Sequence, residues 1–455
     1  MHNNHNSLTE GPIWQKLLLF ALPIFLSNLF QQFYHAFDSW TVGRFIGDTA
    51  LAAVSSSASL IHMFVGFFNG VAMGAGVIIA KFFGAEDHKN LRIAIHTDVA
   101  FGLVSGILLT VAGVAFTPTI LRWMGTPADV LPESIVYFRY YFCGAIFTVL
   151  YNIFVGILRA VGDSKRPLYY LIFATFVNIV LDLLLIVVFK LGVGAAAIAT
   201  TVSQGVSVVL CFIRLVRINA PYKLEVRAIR FDFSCLKSII RFGLPSGVQN
   251  SVIGFANLVV QTNINSFGSA AMAGCGAHSK IEGFVFMPIT CFSMALATFV
   301  GQNLGAKKYD RVKKGATFGI VCGCISAEII GIFSYLLAPQ LIAIFNSSPE
   351  VVAFGSQHTR TMCLFYCMLA FSHSIAGIMR GAGKAMVPMV VMLSSWCLLR
   401  VTYITIAVRF VNQLTTVSWA YPLTWTCSSI IFLIYYLKAD WIHTFDRLEA
   451  QGKTA

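Results

Sequence analysis

Apolar residues run along this chain in long blocks, separated by short polar breaks that often hold glycine or proline. Ile135 to Ile157, Leu168 to Phe189 and Val387 to Val408 each approach the roughly 20 residues a helix needs to cross a bilayer. Hydropathy and the breaks predict six spans near 14–37, 51–80, 93–116, 135–158, 167–189 and 193–216. Six more are predicted near 238–265, 270–300, 315–337, 357–379, 387–408 and 415–437. The first block follows a polar stretch, Met1 to Pro12, and runs past signal-peptide length without a small-residue cleavage site, so it reads as a retained helix.

Composition agrees. The 455 residues are 57% hydrophobic and 11% charged, against about a quarter charged in an ordinary soluble protein. Eleven cysteines lie mostly in apolar blocks, with no pair spaced for zinc, and read as small packing residues. The net charge of +13 would fit nucleic acid only if a soluble domain carried a basic patch, and the longest polar stretch is Arg214 to Arg241. The charge is instead a topology signal. Assigning the inter-span segments alternately puts 24 of the 32 Lys and Arg on one side and 6 on the other, with Lys280 and Arg400 inside spans. Basic loops stay cytoplasmic, so both termini are expected there, in a cell-membrane protein.

The chain also repeats. A shift of about 221 residues lays Ala21-Leu-Pro23 on Gly243-Leu-Pro245, Gly84-Ala85 on Gly305-Ala306, and Pro118 on Pro339. It also lays Gly156-Ile-Leu-Arg159-Ala-Val-Gly162 on Gly377-Ile-Met-Arg380-Gly-Ala-Gly383. An even number of spans per copy makes the repeats parallel. The expected fold is therefore all-α: twelve transmembrane helices in two parallel six-helix repeats around a central cleft that opens to either side. The expected organisation is an amino-terminal lobe (1–216), a cytoplasmic linker (217–237), a carboxy-terminal lobe (238–437) and a cytoplasmic tail (438–455).

Ionisable groups within spans cost about 2.5–3.5 kcal/mol each and ask for a purpose. At 1.5 Å per residue, Asp38 lies about 35 Å along the first helix, Asp182 about 22 Å up the fifth, and Thr200 about 10 Å below the outer end of the sixth. All three can meet at one level, and Asn178 shares a helix face with Asp182 at i, i+4. An all-oxygen cluster of this kind suits a proton or a hard cation such as sodium; a structural network tying three helices is the alternative. Asp98, beside His96, and Glu328 read as interfacial. Glu282 and Arg400 reach similar mid-bilayer depth, as a buried ion pair or as cleft groups. Gln31, Phe33, Phe37, Phe64 and Met287 join them as candidates for lining the cleft, and Pro23 and Pro245 are candidate hinges, each removing an amide hydrogen from a long helix.

With these motifs in place, the whole chain resembles the multidrug and toxic compound extrusion (MATE) family of cation-coupled antiporters. The most specific parts are the two Leu-Pro pairs, Gly301-Gln302-Asn303-Leu304-Gly305-Ala306, Arg159-Ala-Val-Gly162-Asp163, and Asn178-Ile-Val-Leu-Asp182 followed by Ala199-Thr200-Thr201-Val202-Ser203-Gln204. The resemblance places the family's amino-terminal cation site on Asp38, Asn178, Asp182 and Thr200, with Thr201 the alternative one register away. It implies export of amphipathic, often cationic compounds in exchange for protons or sodium, by a monomer with no cofactor, no nucleic-acid partner and no enzyme activity. One branch of the family carries acidic residues in the seventh and tenth spans. Here 243–267 and 357–379 contain no Asp or Glu, so the chain is more similar to the branch that couples through its first half. A lipid-linked or polysaccharide precursor flippase of the wider superfamily is the alternative, although only Lys280 and Arg400 would supply cleft cations.

Overall fold

The computed structural model describes residues 7–450 apart from 124, 125, 127 and 128; side chains at 48, 49, 51, 52, 55–60, 62, 63 and 255 are also left aside. The first part of the chain forms α1 (Ile13–Phe45), α2 (Asp48–Gly84), α3 (His88–Trp123), α4 (Leu131–Cys143), α5 (Ala145–Ala160), α6 (Lys165–Asp182) and α7 (Gly194–Arg217). The second forms α8 (Phe233–Asn265), α9 (Ser269–Gly305), α10 (Tyr309–Leu336), α11 (Ala338–Ala343), α12 (Pro349–Cys363), α13 (Tyr366–Gly381), α14 (Met386–Met392), α15 (Arg400–Phe410), α16 (Leu414–Lys438) and α17 (Thr444–Ala450). Helix is the dictated outcome, since lipid offers no partner for backbone polar groups and a helix satisfies them internally. Trp123, Leu108, Phe176, Val188, Ile329 and Leu437 are all exposed, as side chains facing lipid should be.

Among the described residues, nine helical stretches are long and apolar enough to span a membrane, and two bent pairs raise the number to eleven. α8 is as long as α1 but more polar, with Lys237, Arg241, Gln249 and Asn250 along it; it stands where the seventh span is expected, which brings the total to the twelve predicted. The bent pairs are spans predicted as single rods. α4 and α5 meet at 46° across Gly144, and α12 and α13 at 52° across Leu364 and Phe365. Hydropathy reports how apolar a segment is, not its direction.

The repeat is written in the backbone as well. Gly47, Glu86 and Gly162 have φ of 128°, 55° and 86°, and Gly268, Lys307 and Gly383, each 221 residues later (268−47, 307−86, 383−162), have 94°, 56° and 74°.

The chain forms two compact units, one from Leu22–Gly247 and one from Leu8–Ala21 with the chain from Val248 onward. α1 and α8 thus each change unit along their length, and the changes fall within two residues of Pro23 and Pro245 (23−21, 247−245). Neither proline interrupts its helix, and Ser27 Oγ donates to the Pro23 carbonyl at 2.7 Å.

In the first unit α3 lies along α4 and α5, α2 along α5, and α6 against α7. The start of α8 crosses α2 at bare backbone. A Cβ on Gly74 would sit 2.2 Å from the Gly243 nitrogen, and one on Gly70 2.3 Å from that of Gly247. Small residues replace hydrophobic driving force as the basis of helix association in lipid. The segment before α8 is pinned to α3: His96 Nε2 accepts the Glu225 N–H at 3.0 Å, Thr97 Oγ1 accepts the Asp232 N–H at 3.2 Å, and Arg92 pairs with Glu225.

In the second unit α9 packs on α10, α12 and α13, and α13 on α16. The segment before α1 is held on this unit. Arg311 donates to the carbonyls of Leu8, Glu10 and Gly11, Gln302 Oε1 accepts the Leu8 N–H at 2.9 Å, and Asn303 Nδ2 donates to the Leu8 carbonyl at 3.3 Å. The Gly301–Ala306 motif therefore receives the chain's beginning, and Leu8 is buried there.

Candidate functional site

Asp38, Asn178, Asp182 and Thr200, drawn from α1, α6 and α7, are all buried in the first unit, with Asn178 and Asp182 at 0% exposure. The two carboxyl groups approach within hydrogen-bonding reach of one another. As carboxylates they have no hydrogen to share. Asp38 Oδ1, both Asp182 oxygens, Asn178 Oδ1 and Nδ2, and Thr200 Oγ1 have no hydrogen-bond partner. Buried polar atoms are almost always paired, and an unpaired one costs about 1–3 kcal/mol. Here six such atoms gather in one place. α6 ends at Asp182 and continues as one π-helical stretch, Leu183–Val188, a local widening that recurs at functional sites.

Three tyrosines close the cluster, and they were not singled out from sequence. Tyr34 lies beside Thr200, Tyr34 and Tyr137 both lie near the two aspartates, and Tyr141 adjoins the two tyrosines. Tyr34 and Tyr137 are 5% exposed, and Tyr137 and Tyr141 stack at 6.4 Å. Tyr34 stands four residues before Asp38, so the i, i+4 rule that joined Asn178 to Asp182 would also have found it. Thr201 points elsewhere: its hydroxyl faces the Tyr140 carbonyl at 3.5 Å and its methyl packs at Gly144.

The candidate cleft residues divide. Gln31 and Phe33 are exposed on α1, and Phe37 is half-buried against Trp40 at 5.6 Å. Phe64 packs edge-on to Phe142 at 5.7 Å inside the first unit, and Met287 is buried in the second. Arg400 is 2% exposed and does not pair with Glu282, since no ion pair within 4 Å joins them. Its guanidinium donates to Thr424 Oγ1 at 3.0 Å and Asn257 Oδ1 at 3.3 Å, and lies 4.4 Å over the Tyr421 ring. Lys280 lies 5.3 Å over Phe345. Glu328 accepts the Cys367 N–H at 3.0 Å, capping α13 where its span breaks.

A two-repeat, all-helical, multi-pass membrane protein with a buried carboxylate cluster in its first repeat is a solute carrier in outline. The MatE family profile matches residues 23–184 and again 245–406, and the chain belongs to that family of transporters. It is 30% identical over 392 residues to the probable multidrug resistance protein YoeA of Bacillus subtilis, covering 84% of each chain. It is 20% identical over 375 residues to the multidrug export protein MepA of Staphylococcus aureus, covering 82% of this chain and 83% of the other. Among solved structures, a crystal structure of MATE in the bent conformation superposes with a TM-score of 0.91 at 21% identity over 99% of each chain. A MOP superfamily transporter from Pyrococcus furiosus superposes with a TM-score of 0.89 at 21% identity over 100% of this chain and 99% of that one.

The two matched segments stand 222 residues apart (245−23 and 406−184). Pro167 and Pro388 are 221 apart, and the π stretch Leu393–Leu399 between α14 and α15 supplies the extra residue beyond them. On this count the second repeat has Val260 where the first has Asp38, Ile404 where it has Asp182, and Arg400 where it has Asn178.

Proposed function

We propose that this chain is a secondary active multidrug exporter, driving amphipathic and often cationic compounds out of the cell in exchange for inward protons or sodium. The observation that carries this reading is the set of unpartnered buried oxygens on Asp38, Asn178, Asp182 and Thr200, inside a family whose relatives are described as multidrug resistance and export proteins. Two carboxylates at close approach repel unless a proton or cation lies between them. Asn178 and Thr200 offer neutral oxygens to either. Neutralising the pair changes how the outer part of α1, bearing Tyr34 and Asp38, packs on α6 and α7. Pro23 then serves as the hinge, with Pro245 as its counterpart in α8. Gln31 and Phe33, exposed on the same helix, are the nearest candidates for substrate contact. Both termini, the 217–237 linker and the 438–455 tail lie on the cytoplasmic side, where 24 of 32 Lys and Arg collect, and the monomer is the working unit. Flippase activity is disfavoured because Arg400 and Lys280 are already engaged with Thr424, Asn257 and Phe345.

Purified protein in proteoliposomes, given a fluorescent cationic dye and an imposed proton or sodium gradient, tests the reading. Accumulation that follows one gradient and collapses with its ionophore is the expected result. Movement independent of both gradients would refute coupled exchange.

A further inference from the structure

The second repeat lacks the acidic pair yet holds a buried polar cluster of its own. His278 of α9 is 1% exposed and His358 of α12 is 3% exposed. Their ring centroids are 4.8 Å apart at an interplanar angle of 87°. Each Nδ1 meets a hydroxyl: His278 with Thr359 Oγ1 at 2.9 Å, and His358 with Ser418 Oγ at 2.6 Å. Both hydroxyl hydrogens are already committed to helix carbonyls, Thr359 to Gly355 at 2.7 Å and Ser418 to Leu414 at 2.9 Å. A hydroxyl in that state can only accept from a second partner. This arrangement assigns the imidazole hydrogen to Nδ1 in both rings, which leaves Nε2 as a lone pair. His278 Nε2 is buried with no hydrogen-bond partner.

Other charged and titratable groups of this unit are arranged around the pair. On α9, Cys275 and Glu282 flank His278 by one turn each, while Lys280 turns to Phe345. On α12, Arg360 turns away to the Tyr335 carbonyl and ring, and Cys363 is buried one turn beyond Thr359. α13 brings Tyr366, whose hydroxyl is buried without a partner, and His373, which sits against Trp396 and Phe286. α10 brings Glu328, held by Cys367. α16 brings Tyr421, 6.1 Å from the His358 ring, with Arg400 of α15 on its other side.

We propose that His278 and His358 form a proton-binding site in the second repeat, taking one proton at an Nε2 atom. Protonation turns Nε2 from an acceptor without a donor into an N–H, and the edge-to-face partner ring offers its π cloud to the new cation. A second proton is opposed by like charge at 4.8 Å and by Arg400 behind Tyr421. Glu282, one turn along α9, is the available counter-charge. This site stands apart from the coupling role assigned to Asp38 and Asp182, and it is measurable without any transport assay.

Carbon-13 histidine spectra of the purified wild-type protein in nanodiscs, recorded from about pH 8 to about pH 3, test it, the acidic end being set low because burial disfavours the charged ring. Thr359→Val and His278→Gln serve to assign the signals. At the alkaline end two imidazoles should show the Nδ1–H tautomer, and one of them should convert to imidazolium within that range, in the wild type and in Asp38→Asn alike. Thr359→Val should move that conversion by about half a pH unit or more. Two Nδ1–H signals unchanged down to the acidic end would overturn the proposal, as would Nε2–H tautomers at the alkaline end.

Discussion

The two repeats share a backbone and differ in the chemistry they bury. At corresponding places in α1 and α8, and in α6 and α15, the first repeat has Asp38, Asn178 and Asp182 where the second has Val260, Arg400 and Ile404. The first unit is left with unpaired buried oxygens. The second carries a guanidinium, bonded through its two terminal nitrogens to Asn257 and Thr424 and covered by Tyr421, with Nε unpartnered. A buried charge is tolerable when paired and costly when not. The acidic pair of the first repeat has no counterpart at those positions in the second. Duplication preserved the scaffold while allowing the buried polar residues to diverge.

The same divergence is visible in packing, and it gives the largest expected structural effect. Gly377 and Gly156 are repeat partners, yet a Cβ on Gly377 would lie 2.3 Å from the Ser293 carbonyl oxygen, whereas one on Gly156 would have nothing nearer than 3.7 Å. Gly377→Ala should therefore destabilise by about 1–3 kcal/mol through overpacking. Gly156→Ala should be neutral or stabilising by up to about 1 kcal/mol, from helix propensity. Thermal unfolding midpoints in detergent would read both. Equal losses would show that the two halves pack alike.

A smaller effect separates the two broken spans. The first breaks at Gly144, a glycine into whose missing side chain Thr201 packs, with a Cβ there 2.3 Å from the Thr201 methyl. The second breaks at Leu364 and Phe365 with Glu328 capping the next helix through the Cys367 N–H. Glu328→Leu should cost about 1 kcal/mol, as cap removals do, and Glu328→Gln, which keeps an acceptor oxygen, less than half of that. The same unfolding assay distinguishes them, and identical losses would assign Glu328 a role in its charge rather than in its cap.

Much of this was legible in the sequence. Matching Leu-Pro, Gly-Ala and Gly-Ile-x-Arg motifs declared the repeat, and helical rise alone brought Asp38, Asp182 and Thr200 to one level. Rise gives depth but not azimuth, which is why Glu282 and Arg400, at similar depth, were candidates for a pair that the structure does not form. The break in each bent span was hidden because hydropathy carries no direction. Nothing in the sequence singled out Tyr34 and Tyr137 among the many aromatics. His278 and His358 are 80 residues apart, and only the α9–α12 contact brings them together. The positive-φ positions were concealed at Glu86 and Lys307, where no glycine marks them.

The central claim is that ion coupling resides in the first repeat's carboxylate pair. Its most direct test is gradient-driven efflux of a cationic dye from inside-out vesicles carrying Asp38→Asn, Asp182→Asn or the wild type, matched for folded protein by fluorescence-detected gel filtration. Either substitution is expected to lower gradient-dependent transport by about 100-fold, at the upper end of ordinary coupling energies, with the folded yield nearly unchanged. Full, ion-dependent efflux by either variant would contradict it.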